Sequence, residues 1–284
     1  MIVRFKRPDR SIAWGWQTSQ GIQDLCSADD SLPTSTRELI LRWRELESRI
    51  VPLIKKLGPS EERLELLCPL DSPGKILCIG LNYRDHALET HAPIPEEPIV
   101  FNKASTSLCG PNDPIVIPST SSQVDFEAEL VVVVGQRLKN ATQEESKRAI
   151  FGYTAGNDVS ARDWQKGKPG KQWFLGKSFD TFAPIGPAIA LASSIPDPLK
   201  LRIESRLNGQ TMQNSTTAEL IFEPEMLLSY ISQVLTIEPG DLLFTGTPAG
   251  VGVARNPQVF LKPGDCIEVQ IEMIGTLSNR CVGA

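Results

Sequence analysis

Two textures of apolar positions divide the chain near residue 70. Alternating apolar residues over Ile2 to Phe5 and over Ile12 to Trp16 predict a hairpin. A helix is expected after Ser35: Ser35 and Glu38 have the spacing of a capping box, and Leu39, Trp43, Leu46, Ile50 and Leu53 recur at helical intervals. Pro52 should kink or interrupt it, because proline lacks an N–H and its ring meets the preceding turn. The segment CPLDSPGK, residues 68 to 75, puts two prolines and a glycine between periodic stretches. It marks an expected boundary between a small N-terminal α/β domain, residues 1–70, and a second domain, residues 71–284.

From Lys75 onward the pattern changes to short apolar runs broken by proline and glycine: KILCIGL, EPIVF, DPIVI, AELVVVVG, GPAIAL, LKLRIESRL, DLLFTGT and CIEVQIEMI. These predict strands, with helices only near Thr142 to Phe151, where Thr142 and Glu145 form a second capping-box pattern, and over Pro224 to Leu235. The expected class is α+β, predominantly β. No repeat, heptad or low-complexity tail interrupts it.

Composition narrows the classes of function. The chain has 284 residues, with 29 basic and 34 acidic side chains and a formal charge of -5. Neither sign is gathered into a block, so nucleic acid is not an expected partner. No apolar run approaches the 18 or more residues of a membrane span. The six cysteines are scattered without a CxxC pair, which suits a reducing compartment, and none is assigned a catalytic role. A cytoplasmic location is expected. The basic opening MIVRFKRPDR, read as a presequence, is the mitochondrial alternative.

Two glycine-rich stretches are not nucleotide loops. AGVGVA around Gly250 and Gly252 lacks a third glycine and a following helix, and Gly170 to Ser178 has five residues between its glycines with no preceding strand. More informative is VDFEAELVVVVG, where Glu127 and Glu129 are two apart on a strand and point the same way. Buried together, two carboxylates repel unless protons or a cation separate them, and hard oxygen ligands select magnesium, manganese or calcium over zinc. A solvated strand end is the plainer reading of that pair. Asp158, in GYTAGNDVSARDW, either projects into the same space or is a turn residue. His86 and Glu89 in NYRDHALE are three apart, on one face if helical, where Glu89 orients the imidazole or merely forms a surface pair with it. His91 has no evident partner, and the proline-rich APIPEEP beyond it suits a lid.

The ordered blocks GLNYRDHALE, VDFEAELVVVVG, GYTAGNDVSARDWQ, GKSFDTFAPIGP and FTGTPAGVGV resemble the fumarylacetoacetate hydrolase family, from about residue 75 to the end. The resemblance implies a mixed β-roll catalytic domain, usually dimeric, with magnesium or manganese held by an ExE pair plus an aspartate. Those ligands fall on Glu127, Glu129 and Asp158. It also places Lys177 beside the acids, His86 and Glu89 as a dyad that activates water or moves a proton, and Arg162 and Gln165 near the substrate. Arg162 suits a substrate carboxylate or the local acidic network, and its plainer reading is an ion pair with Asp163 or another acid. Thr247 lies in the glycine-flanked TGTP turn, where backbone approaches a ligand closely or the hydroxyl simply caps the turn. The lysines of KGKPGK, residues 166 to 171, suit a solvated loop.

A 2-oxo acid or 1,3-dicarbonyl chelates such an ion through adjacent oxygens, and its enolate is stabilised there. With the dyad intact, hydrolysis of a carbon-carbon bond in an acylpyruvate or fumarylacetoacetate-like substrate is the leading expectation. Oxaloacetate keto-enol tautomerisation follows, because GKQWFLGKSFDTFAPIGP resembles the family's domain-containing protein 2-like subgroup. A decarboxylase or lyase comes next, and a non-catalytic ligand-binding relative last.

Overall fold

A computed structural model describes residues 1–284. The expected hairpin is present as strands Ile2–Lys6 and Ile12–Thr18. The strand Ile2–Lys6 also pairs with Ala183–Leu191 through Ile2 and Ile189, so an eleven-stranded sheet runs unbroken across the proline-rich segment at 68 to 75. Arg4 and Lys6 of the basic opening thus lie in a strand of the fold. Its main path continues through Ile150–Asn157, Ala128–Val134, Leu242–Phe244 and Ile76–Gly80 to an edge at Ile99–Lys103. A five-stranded sheet, Gln210–Thr216, Arg202–Leu207, Cys266–Ile271, Gly275–Gly283 and Ile115–Ile117, packs against it. The molecule is α+β and strand-rich.

The strand Ala128–Val134 is buried on both faces. Leu130, Val132 and Val134 join a core with Ile203, Val269 and Ile271 of the smaller sheet and Leu227, Leu228 and Ile231 of the helix Pro224–Val234. Val131 and Val133 point the other way, into a core shared with Ile2, Trp14, Leu39, Leu46 and Ile50 of the N-terminal segment. Both faces being dry, the run carries no polar alternation until it reaches Glu129 and Glu127 at its start.

The N-terminal helix is broken, although not where proline pointed. Thr36–Leu41 ends at Arg42, and Pro52 lies inside Trp43–Lys56. Both Pro52 and Ser48, whose carbonyl it leaves without an intrahelical donor, are exposed, so the lost bond lies on the solvent side of the helix. Ser35 accepts from the Glu38 N–H as expected, but the Glu38 side chain turns to Arg42 instead of closing the box. At Gln143–Ala149 the capping box is complete, Thr142 and Glu145 each bonding the other's backbone N–H.

Candidate active site

Three carboxylates converge where Ala128–Val134 and Ile150–Asn157 meet. The chain enters the first strand at Glu127 and leaves the second at Asp158, and the two segments are stitched by Asp158 N–H to Glu127 C=O at 2.9 Å and Glu127 N–H to Asn157 Oδ1 at 2.9 Å. Glu127, Glu129 and Asp158 are all buried, with an oxygen from each within 4.8 Å of the others. The solvated strand end is therefore set aside: Glu129 is 1% exposed and Asp158 is fully enclosed.

Cations are shared unequally among the acids. Lys177 Nζ lies 2.8 Å from Glu127 Oε2 and 2.6 Å from Asp158 Oδ2. Arg162 Nη2 lies 2.6 Å from Glu127 Oε1, and Lys103 Nζ bonds Asp158 Oδ1 and the Val159 carbonyl. Burial opposes ionisation of Glu127, yet Lys177 and Arg162 outweigh it and hold its pKa below the usual carboxylate range. The Lys177 ammonium is likewise disfavoured by burial, and Asp158 and Glu127 more than restore it. Glu129 has no cation from the protein. Its hydrogen bond comes from the Gly246 N–H at 2.7 Å, and burial, followed by the charges of Asp158 and Glu127, pushes its pKa well above the usual value.

This donor set fits a divalent ion. Three carboxylate groups offer only hard oxygens, and a buried acid with two anionic neighbours and no protein cation is the place where a 2+ charge relieves most repulsion. Lys103 and Asp125 are additions that the sequence reading lacked. Asp125 continues the alternation of Glu127 and Glu129 by one more step, which is the signal that was open to notice. For Lys103 the signal is a lone lysine closing an apolar strand, in PIVFNK.

Arg162 belongs to the acidic network. Its Nε donates to Asp125 at 2.9 Å, Nη1 to Gln165 Oε1 at 3.0 Å, and Nη2 reaches Asp125 and Glu127. Asp163 instead holds Ser121 and Ser122. Thr247 donates to the Ala128 carbonyl at 2.9 Å and accepts from Gln213 Nε2 at 2.7 Å, which fixes the TGTP turn against the acid-bearing strand. Gln213 was also absent from the sequence reading, having no motif of its own.

The dyad forms on the short helix Arg84–Glu89, with His86 Nδ1 3.0 Å from Glu89 Oε2. Glu89 Oε1 accepts from the Gly250 N–H at 2.9 Å, so it grips both the imidazole and the loop after the TGTP turn. The helix follows a turn at Leu81, φ 49°, and is held by Asn82, which bonds Phe222 N–H, Phe222 C=O and Thr245 C=O. Residues 245 to 253 thereby touch Glu129, Glu89 and Asp125 from one loop. His91 is exposed, as expected, and the proline-rich stretch is tethered by Tyr230 Oη to Glu97 at 3.2 Å. All six thiols are unpaired, and burial pushes that of Cys26 up to about 11.

The family model described as fumarylacetoacetate (FAA) hydrolase, C-terminal, matches residues 75–282. The chain belongs to the fumarylacetoacetate hydrolase family. It is 46% identical over 96% of its length to the "Fumarylacetoacetate hydrolase domain-containing protein 2 homolog" of Dictyostelium discoideum, covering 93% of that protein. It is 45% identical over 99% of its length to the "Oxaloacetate tautomerase fahd2, mitochondrial" of Xenopus laevis, covering 90% of it. Among solved structures, the fumarylacetoacetate hydrolase of Exiguobacterium antarcticum superposes with a TM-score of 0.89 at 33% identity, over 100% of this chain and 99% of that one. The maleylpyruvate hydrolase of Sphingobium sp. SYK-6, in complex with manganese(II) ion and pyruvate, gives 0.83 at 26% identity over the same shares.

Proposed function

We propose that this family member is a divalent-metal-dependent oxaloacetate keto-enol tautomerase, using Glu127, Glu129 and Asp158 for magnesium or manganese and His86 for the proton. One observation carries the choice among the fates of an enolate: 45% identity over 99% of the chain to a relative named for that activity. It displaces carbon-carbon hydrolysis as the leading expectation. Hydrolysis stays as the second reading because an intact His–Glu pair also suits water activation.

When bound, the ion supplies Lewis-acid stabilisation of negative charge developing on the 2-oxo oxygen. The side chains account for the proton. Glu89 accepts at Oε2 from His86 Nδ1–H, leaving Nε2 of the neutral imidazole as the free base. Nε2 takes a proton from C3 of the keto form and delivers it to the 2-oxo oxygen, so the imidazole ends the cycle neutral. The reverse direction returns a proton to C3. A C–H bond is exchanged for an O–H bond as the π bond moves from C2=O to C2=C3, so no nucleophilic water is required. Lys177 holds Glu127 and Asp158 in register and contributes positive charge beside the substrate oxygens.

The assay that tests this follows enol-oxaloacetate loss with and without magnesium, beside acetylpyruvate and fumarylacetoacetate. Tautomerisation that requires metal, with hydrolysis slower than it, is the expected result. For His86→Ala, catalysis should fall by about 10² to 10⁴ while metal affinity survives. Hydrolysis of either acyl substrate outrunning tautomerisation would reverse the two readings.

The mitochondrial name of the Xenopus relative favours that compartment over the cytoplasm, a point organelle fractionation decides. A homodimer is our reading of the edge strand Ile99–Lys103, whose Ile99 and Val100 are exposed beside Phe174 and Leu175. Light scattering reporting a 31.2 kDa particle in solution would remove it.

A further inference from the structure

Asp125 is fully buried and accepts on both oxygens. Oδ1 takes the Gly252 N–H at 2.7 Å and the Phe126 N–H at 2.9 Å, while Oδ2 takes the Val253 N–H at 3.0 Å and Arg162 Nε at 2.9 Å. The approach is so close that a Cβ on Gly252 would stand 2.5 Å from Oδ1 and collide with the Val259 carbonyl. One carboxylate therefore joins two structures. On one side is the loop whose Gly250 N–H grips Glu89, and on the other is the arginine that grips Glu127.

We propose that Asp125 is a positioning residue that sets the His86–Glu89 pair relative to the acidic triad, through the Gly250–Val253 backbone. The reading rests on the proton-transfer role given to His86. The triad itself has other supports: the Glu127–Asn157 and Asp158–Glu127 backbone links, Gly246 for Glu129, and the two lysines. The dyad helix has fewer ties to the acids, and Glu89 reaches them through this loop. Loss of Asp125 should move the base more than the metal ligands.

Asp125→Asn is the sharper variant, since every neighbour of the carboxylate is a donor and an amide NH2 meets another N–H whichever way it turns. Asp125→Glu keeps the charge and shifts its reach, and serves if the asparagine variant does not fold. For either, hydrogen exchange should quicken in residues 246–254 and also in 84–90, with 128–134 unchanged. Manganese affinity, read by titration calorimetry, should fall by no more than about tenfold. Tautomerase kcat should drop by about 10² with KM within a few-fold, the signature of a misplaced base. Exchange that rises only in 246–254 with kcat intact would make Asp125 a local staple and overturn the proposal, as would loss of manganese binding with 84–90 still protected. If the unaltered enzyme shows no tautomerase turnover, the proposed function fails. The exchange and calorimetry arms still decide the role of Asp125.

Discussion

Glu129 shows most plainly how a side chain's chemistry follows from its neighbours. Glu127 beside it has two cations and is held ionised, whereas Glu129 has a backbone N–H and two anions. For a carboxyl whose folded pKa is raised, the neutral form is the one the metal-free fold prefers. Its stability contribution is therefore full below the ordinary value of 4.5 and is lost as pH rises through the folded value. Metal-free protein with Glu129→Gln should be more stable than the parent at pH 7 to 8, where the parent carboxyl is held neutral at a cost that the amide does not bear. The parent should gain melting temperature on adding magnesium and the variant should not. A variant that melts lower without metal, or responds to magnesium like the parent, would contradict this. The alternation rule was enough to put Glu127 and Glu129 on one face. It was silent on which of them lacks a cation, because Lys103, Arg162 and Lys177 arrive from distant segments.

At the scale of elements, apolar runs located the strands well because most of them are buried on both faces and so read as continuous Val, Leu and Ile. The short helix Arg84–Glu89 was legible only as a spacing between His86 and Glu89. Its stability comes from outside itself, since six residues make a marginal helix alone. Asn82, fully enclosed, supplies the anchorage with three hydrogen bonds to Phe222 and Thr245, partners about 140 and 163 residues away. No local pattern encodes such a bond. Asn82→Ala leaves those backbone groups without partners and should cost on the order of 3 kcal/mol in urea denaturation. Exchange of residues 84–90 should accelerate more than that of the distant helix Gln143–Ala149. Equal acceleration in both would mean that Asn82 stabilises the fold at large rather than this helix.

Across the whole molecule, a net charge of -5 is not the charge an incoming oxo acid meets. The buried cluster contains Asp125, Glu127, Glu129 and Asp158 against Lys103, Arg162 and Lys177, one negative charge in excess once Glu129 ionises. A divalent ion turns that excess into one positive charge, inside a dry interior where it is weakly screened. The centre should thus reject dicarboxylates when empty and accept them when loaded. Oxalate, a dianion that cannot enolise, separates binding from turnover. With magnesium, oxalate at about 100 times its Kd should stabilise the protein by about 2.7 kcal/mol. Without metal, calorimetric melting should show no shift at the same concentration, since Lys103, Arg162 and Lys177 are already paired with Asp125, Glu127 and Asp158 and leave no cation for the ligand. Equal stabilisation in both conditions would place the anion elsewhere, on the exposed lysines of residues 166 to 171, and would detach substrate recognition from the acidic triad.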